Sequence, residues 1–380
     1  MKRISIKIFI CIYIISLLML FVGCGGSEDN SSTNSSLDSN ISSNVSSDTI
    51  SNSSQDSSLS SESNSDSNSS SETATCEHNY VEKEVVQPMA LKDGKRKSVC
   101  SICSAEQTET LPATKSIKIL ALGNSFTIDS MQHLWNICKS AGVEEIVLGN
   151  LFISGCTLDT HWSKIESNAK SYVFYKNTNG SWISTKKYTV LKAIQQEDWD
   201  VFVFHQNGSG GGFADSYSHL DDIMDFFDKN KTNPNAKMYW NVGWAYQSDS
   251  THGTFKLYDN DQMKMYNMTV SAVQEVIVPN KRFAGIIPSG TAIQNLRTTY
   301  LGDTITRDGY HMNYGFGRYQ LGLVWCSVLT GGDIDAVDYI PSQYPDVKEL
   351  LPLLKESAKS AIAEPFKITD SVSYATKPTP

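Results

Sequence analysis

Ile117-Lys118-Ile119-Leu120-Ala121-Leu122-Gly123-Asn124-Ser125 is the stretch that decides the fold. A compact apolar run ending in Gly-Asn-Ser, followed by a helical pattern over 130–140, reads as strand, sharp turn, helix. Working outward, strands are expected at 145–153, 200–204, 236–242 and 283–287, with helical patterns at 218–229, 262–278 and 314–329. That order predicts an α/β domain, a mostly parallel sheet flanked by helices on both faces. Residues 172–176 and 182–184, joined by Asn177-Thr178-Asn179-Gly180, read as an inserted β-hairpin.

Upstream, the composition changes twice. Residues 1–23 begin Met1-Lys2-Arg3 and run apolar from Ile8 to Val22, as a secretory signal does, and the run is shorter than the ~20 residues a membrane-crossing helix needs. Phe21-Val22-Gly23-Cys24 resembles a bacterial lipobox, which implies a lipid anchor at Cys24 as the membrane contact; the alternative is a retained anchor. Residues 24–74 are dominated by Ser, Asn, Asp and Glu and read as a disordered linker. About 45 flexible residues have a root-mean-square span of roughly 35 to 40 Å, so the expected location is extracytoplasmic, at the cell surface. The whole chain has 380 residues, 41 acidic against 32 basic, a net charge of -9. Without clustered Lys and Arg, a nucleic-acid partner is excluded.

Residues 75–113 form a separate small module. Cys76-Glu77-His78 and Cys100-Ser101-Ile102-Cys103 flank a β-hairpin turning at Lys92-Asp93-Gly94-Lys95. Three Cys and one His in two short pairs can close a tetrahedral site around zinc. A disulfide plus a free thiol is the alternative, and the odd number of thiols favours metal. With all four positions filled by protein, that zinc is structural. The segment also resembles small Cys-x-His…Cys-x-x-Cys modules appended to bacterial surface proteins. Cys138, Cys156 and Cys326 read as buried inert thiols.

In a parallel sheet, ligands bind beyond the carboxyl ends of the strands. The first strand delivers Ser125 there, either as an exposed nucleophile or as a helix cap. Near the far end of the domain stands Arg307-Asp308-Gly309-Tyr310-His311, where an Asp three residues before a His can orient its ring. Together these make a Ser-His-Asp hydrolase expectation.

The domain resembles the SGNH (GDSL-type) hydrolase superfamily. Gly123-Asn124-Ser125-Phe126 is similar to its first block and Asp308-x-x-His311 to its last. More closely, the 119–127 stretch, residues 155–162, 197–201 and 288–294, and the 307–311 stretch are similar to a branch known only as a domain of unknown function. The resemblance implies an SGNH/flavodoxin-like three-layer sandwich over 115–366, followed by a flexible tail at 367–380. It implies Ser125 as nucleophile, His311 as general base, Asp308 as its orienting partner, and oxyanion donors at Ser125 and Gly155. The usual Gly-x-Asn-Asp block is replaced by His205-Gln206-Asn207-Gly208, so the third donor is Gln206 or Asn207, with Gln206 preferred.

These parts imply acyl transfer to water with no catalytic cofactor. The expected activity is hydrolysis of short acyl esters, acetyl foremost, on carbohydrate. A lipase or thioesterase with the same triad, a non-catalytic glycan-binding module and a two-lobed solute receptor are the rivals. Trp240, Trp244 and Tyr246 are readable as a sugar-stacking wall or as core aromatics, and His161 and His205 as packing or substrate contacts.

Overall fold

The computed structural model of the chain describes residues 76–377, so the leader, Cys24 and the linker lie outside the described residues. Three strands come first, β1 (Tyr80–Val86), β2 (Gly94–Cys100) and β3 (Glu106–Leu111), forming an antiparallel sheet in that order. A second sheet starts with β4 (Ser116–Gly123). The chain then runs through α1 (Ser125–Met131), α2 (Leu134–Ser140), β5 (Glu145–Phe152), α3 (Leu158–Glu166), the hairpin β6 (Tyr172–Asn177) and β7 (Trp182–Tyr188), and α4 (Val190–Ile194). It continues with β8 (Val201–Phe204), α5 (Leu220–Asn230), β9 (Lys237–Asn241), α6 (Gln262–Val276), β10 (Phe283–Ile287), α7 (Ser289–Arg297), α8 (Phe316–Thr330) and α9 (Val347–Ala363).

The larger sheet has the order β10-β9-β8-β4-β5-β6-β7; the first five strands are parallel and the hairpin is antiparallel. β4 is apolar on both faces because helices cover both. Ile119 and Ala121 join one buried core with residues of α1, α2, α7, α8 and α9, while Leu120 and Leu122 join the other with residues of α3 and α5. The chain leaves β4 toward β5 on one side and β8 on the other. Such a reversal opens a crevice beyond the carboxyl ends of the strands. Among the described residues no helix is long and apolar enough to cross a membrane.

The helix expected over 130–140 is two helices. His133 Nε2 lies 2.8 Å from the Tyr314 carbonyl, and Gln132 Oε1 accepts from Arg318 Nη1 at 3.1 Å, so the junction is drawn toward the region around α8. The tail expected to be flexible is tied down where it is described. Thr369 N donates to Asn295 Oδ1 at 2.8 Å, Ser371 N to Thr298 Oγ1 at 2.8 Å, and Tyr300 N to the Tyr374 carbonyl at 2.8 Å. Those bonds satisfy polar groups around the carboxyl end of α7, and they are the physical reason the segment docks.

Two buried histidines bear on stability. His161 Nδ1 lies 2.9 Å from the Tyr172 hydroxyl, and His205 has no hydrogen-bond partner at either ring nitrogen. Burial, with His205 nearby, lowers His161 to about 3, and burial lowers His205 to about 4. Both are therefore neutral when folded and take up a proton near pH ~6.5 only when unfolded. The stability they confer is full above about pH 6.5 and is lost as pH falls toward 4. We expect denaturant-derived stability to fall between pH 7.5 and 4.5, and His205→Asn to reduce that slope by up to about 1.4 kcal/mol per pH unit. An unchanged slope in the variant contradicts the assignment.

Candidate active site

The turn after β4 distributes its polar groups in a particular way. Asn124, in extended conformation, caps α1: its Oδ1 accepts from Phe126 N at 3.0 Å, and its Nδ2 donates to the Cys156 carbonyl at 3.2 Å. Capping thus falls to Asn124, and Ser125 becomes the first helical residue with its hydroxyl released from that role. The Ser125 and Gly155 amides have no hydrogen-bond acceptor among the described residues. Gly155 has φ +60°, a conformation that suits glycine, and a Cβ built there meets nothing within 4 Å. Its position after β5 sets it beside the end of β8, where Asn207 Nδ2 donates to its carbonyl at 2.9 Å.

Gln206, preferred from sequence as the third oxyanion donor, has another role. Its Nε2 donates to the Ser216 carbonyl at 2.7 Å and to Ser216 Oγ at 3.1 Å, using both hydrogens. Its Oε1 accepts from Leu158 N at 3.2 Å and from its neighbour Asn207 N at 2.9 Å. A carboxamide buried with every valence used is a strut holding the start of α3 to the loop after β8. Asn207 is the side chain that reaches the cleft. One of its amide hydrogens goes to Gly155, and its Oδ1 accepts from Ser209 Oγ and Gly210 N, both at 2.9 Å.

Asp308 and His311 form a pair. His311 Nδ1 lies 2.7 Å from Asp308 Oδ2, and His311 N donates to Asp308 Oδ1 at 2.8 Å. His311 Nε2 is buried without a partner, leaving the second ring nitrogen uncommitted. Partial burial disfavours the Asp308 carboxylate, but the hydrogen bonds from His311 outweigh it and hold its pKa below the ordinary value. Gly309, with φ +89°, makes the turn between them; a Cβ there would come within 2.9 Å of Ser250 Oγ. No hydrogen bond joins Ser125 Oγ to His311 Nε2, and in enzymes that use such a pair this bond commonly tightens only when substrate binds.

What brings the two stretches together is Asp129, one turn along α1 from Ser125 and fully buried. Its Oδ1 accepts from Arg318 Nε at 2.8 Å and lies 2.7 Å from Arg318 Nη2 and 3.3 Å from Arg307 Nη1. Its Oδ2 accepts from Met312 N at 2.9 Å. On the other side, Gln247 N donates to the Gly309 carbonyl at 2.8 Å, and Trp244 Nε1 to the Tyr310 carbonyl at 2.7 Å. The sequence reading missed Asp129, although an acid in an apolar helix asks for a cation, and Arg307 sits beside Asp308.

The resulting cleft of about 220 Å³ is lined by Ser125, Gly155, Asn207, Tyr246, His252 and Tyr310, among others. Tyr310 carries His311 beside it, their ring centroids 4.1 Å apart, and His311 stands edge-on to Phe126 at 6.4 Å. His252 was not singled out from sequence. Burial and the neighbouring His311 lower its pKa against the pull of Asp308, which keeps its ring neutral in the cleft. All three candidate stacking aromatics are buried core residues, and of the three Tyr246 also lines the cleft. His161 is a core histidine as well. Burial pushes the Cys156 thiol up to about 12, so a thiolate nucleophile is disfavoured there.

The class so defined is an α/β protein of mostly parallel sheet that gathers a serine, a His-Asp pair and unpartnered amides at its strand ends. The family DUF4886, a domain of unknown function, matches residues 118–352, and the chain belongs to it. The crystal structure of a DUF4886 family protein from Bacteroides uniformis is 33% identical, with 68% of this chain and 99% of that one covered and a TM-score of 0.64. A catalytic mutant of an acetylxylan esterase from Geobacillus stearothermophilus is 10% identical over 59% of this chain and 97% of its own, with a TM-score of 0.36, too distant to carry an argument. No curated protein matches the chain.

Removing the charge at Asp129 leaves two guanidinium groups without their buried counter-ion. Asp129→Asn is expected to cost about 3–5 kcal/mol of stability, read from urea unfolding. A loss under about 1 kcal/mol would show that the loop is held elsewhere.

Proposed function

We propose that the protein is a serine esterase that hydrolyses short acyl esters, acetyl foremost, carried on carbohydrate. The observation that carries this reading is the His311-Asp308 pair at 2.7 Å, with Nε2 uncommitted, on the loop whose Tyr310 shares a cleft with the uncapped Ser125. The resemblance of the Gly-Asn-Ser and Asp-x-x-His blocks to SGNH hydrolases supports the same roles.

In this mechanism Ser125 Oγ attacks the ester carbonyl carbon while His311 Nε2 takes its proton. Asp308, held ionised, stabilises the imidazolium and keeps the ring oriented. The negative oxygen of the tetrahedral intermediate is met by the Ser125 and Gly155 amides and the Asn207 carboxamide. Collapse expels the alcohol, which takes the proton from His311 and leaves an acyl-Ser125. Water, deprotonated by His311, then attacks the acyl carbon, and Ser125 Oγ takes that proton back from His311 as the acid is released.

The small cleft favours a short acyl group, because a long chain requires an extended apolar channel. Its half-buried His252 and Tyr310, with Tyr246 buried behind them, offer an apolar face and hydrogen-bonding edges together, as a sugar requires. The signal-like leader, the lipobox-like Phe21-Val22-Gly23-Cys24 and the Ser-rich linker support a location at the cell surface, tethered through Cys24.

Ser125→Ala is expected to lower kcat/KM for p-nitrophenyl acetate by at least about 10³-fold, and Asn207→Ala by about 10²- to 10³-fold. Gln206→Ala should act through stability more than through the chemical step. Hydrolysis at equal rates in wild type and Ser125→Ala would replace this reading with the glycan-binding one. For the sugar specificity, His252→Ala should raise KM for acetylated oligosaccharides about tenfold while changing p-nitrophenyl acetate turnover less than about threefold. Equal losses on both esters would remove His252 from sugar recognition.

A further inference from the structure

The three-stranded module at the start of the described chain is not used by the esterase chemistry, and its construction poses a physical problem. Of residues 76–113, only Ala90, Gly94 and Cys100 are buried. Ala90 belongs to the core of the larger domain, since the loop between β1 and β2 packs there and Leu91 N donates to the Thr330 carbonyl at 2.8 Å. One end of the small sheet is therefore anchored. The other end has no apolar core, and Tyr80, Val81 and Ile102 are exposed. Its ion pairs, Arg96 with Glu82 and Glu109 and Lys97 with Glu106, are solvent-exposed and contribute little to stability. A three-stranded sheet without a packed face needs another source of stability.

The unanchored end is where four ligand-type side chains meet. The Tyr80↔Cys100 pairing of β1 with β2 brings Cys76-x-His78, just before β1, against the turn Cys100-x-x-Cys103 that follows β2. Cys76 Sγ and Cys100 Sγ are 3.8 Å apart, Cys103 Sγ and His78 Nδ1 are 3.2 Å apart, and all four ligand atoms lie within 4.8 Å of one another. Tetrahedral zinc with bonds of ~2.3 Å to sulfur and ~2.0 Å to nitrogen requires S···S edges of about 3.8 Å and S···N edges of about 3.5 Å. The cluster thus has nearly the spacing such an ion imposes. A disulfide requires ~2.05 Å between sulfurs and would leave one thiol and the imidazole over. The backbone supports the same turn: Ile102 N donates to Cys100 Sγ at 3.4 Å, and Ser101 N to the Asn79 carbonyl at 2.9 Å. The first of these places an amide dipole on a sulfur, as a metal-bound thiolate favours.

We propose that Cys76, His78, Cys100 and Cys103 bind one Zn²⁺, which takes the place of the missing core of this module. With four protein ligands the site is closed and offers no position to a catalytic water. It is also placed away from the esterase cleft. The module enters β4 at Ser116, the end opposite Ser125, and a cavity of about 170 Å³ between its loop and the larger domain is lined by Pro88, Met89, Ser116, Asp200 and Lys237, at the amino ends of β4, β8 and β9. Zinc release should therefore loosen residues 80–111 without disturbing the parallel sheet.

The test uses the protein purified without reductant and requires no ester hydrolysis. Metal analysis should give about one zinc per chain. Cobalt exchanged for zinc should give the intense visible bands of tetrahedral thiolate ligation. Cys103→Ser should lower zinc content at least about tenfold, and Cys326→Ala, a core thiol, should leave it unchanged. Chelation should accelerate hydrogen exchange across β1 to β3 while protection in β4, β5 and β8 persists. A wild-type protein without stoichiometric zinc, an octahedral cobalt spectrum, or a disulfide among Cys76, Cys100 and Cys103 in the mass spectrum would overturn the proposal. Because the readouts are metal content, spectrum and exchange, their failure is distinguishable from failure of the esterase reading.

Discussion

The arrangement of the cleft depends on one buried carboxylate. Asp129 leaves α1 a single turn after Ser125 and receives Arg318, Arg307 and the amide of Met312. These groups lie on either side of His311 in the chain, so the charge on one helix fixes the loop that carries the base. A buried charge is costly to leave unpaired, and that cost makes the two-way clasp specific. A loop shifted by one residue would strand Asp129 without the Met312 amide and at least one guanidinium.

Around this clasp, the sheet acts as a jig. Because β4 continues on one side to β5 and on the other to β8, their ends deliver Ser125, Gly155 and Asn207 to one crevice. Each of the three has a neighbour that carries the structural load in its place: Asn124 caps the helix, Cys156 supplies the carbonyl that holds Asn124, and Gln206 braces the start of α3. The division leaves the adjacent residue free to meet a ligand. The loop bearing Tyr246 and His252 is held from behind by the partly buried Arg297-Asp303 pair, in which Asp303 also accepts from Ser248 N and Arg297 donates to the Ala245 carbonyl.

Legibility followed locality. The strands around 117–122 and 200–204 were readable because a strand covered on both faces is a continuous apolar run bounded by turn residues, and those at 145–153 and 283–287 because they too are short and predominantly apolar. α7 and α9 were not. Ser289-Gly290-Thr291 looks like loop, yet Ser289 Oγ bonds to Asn241 Oδ1 at 2.6 Å, and a Cβ at Gly290 would come within 2.2 Å of the Gly243 carbonyl, so close packing makes that segment a helix. Pro352 argues locally against α9, which forms because Leu353, Leu354, Ala358 and Ala361 are buried. The ambiguity between Gln206 and Asn207 has a similar origin. Adjacent carboxamides are equivalent in composition, and only the position of Ser216 decides which one is consumed.

The sequence by itself determined the alternation of strands and helices, the pairing of Asp308 with His311 and the two Cys/His pairs, since each depends on residues a few positions apart. Tertiary structure alone decided that Asp129 receives Arg307 and Arg318, that Asn207 and His252 line the cleft, and that Cys76 comes to lie 3.8 Å from Cys100. Those contacts join segments whose separation along the chain carries no signal. They are set by which strand neighbours which and by the cost of leaving a buried charge unpaired.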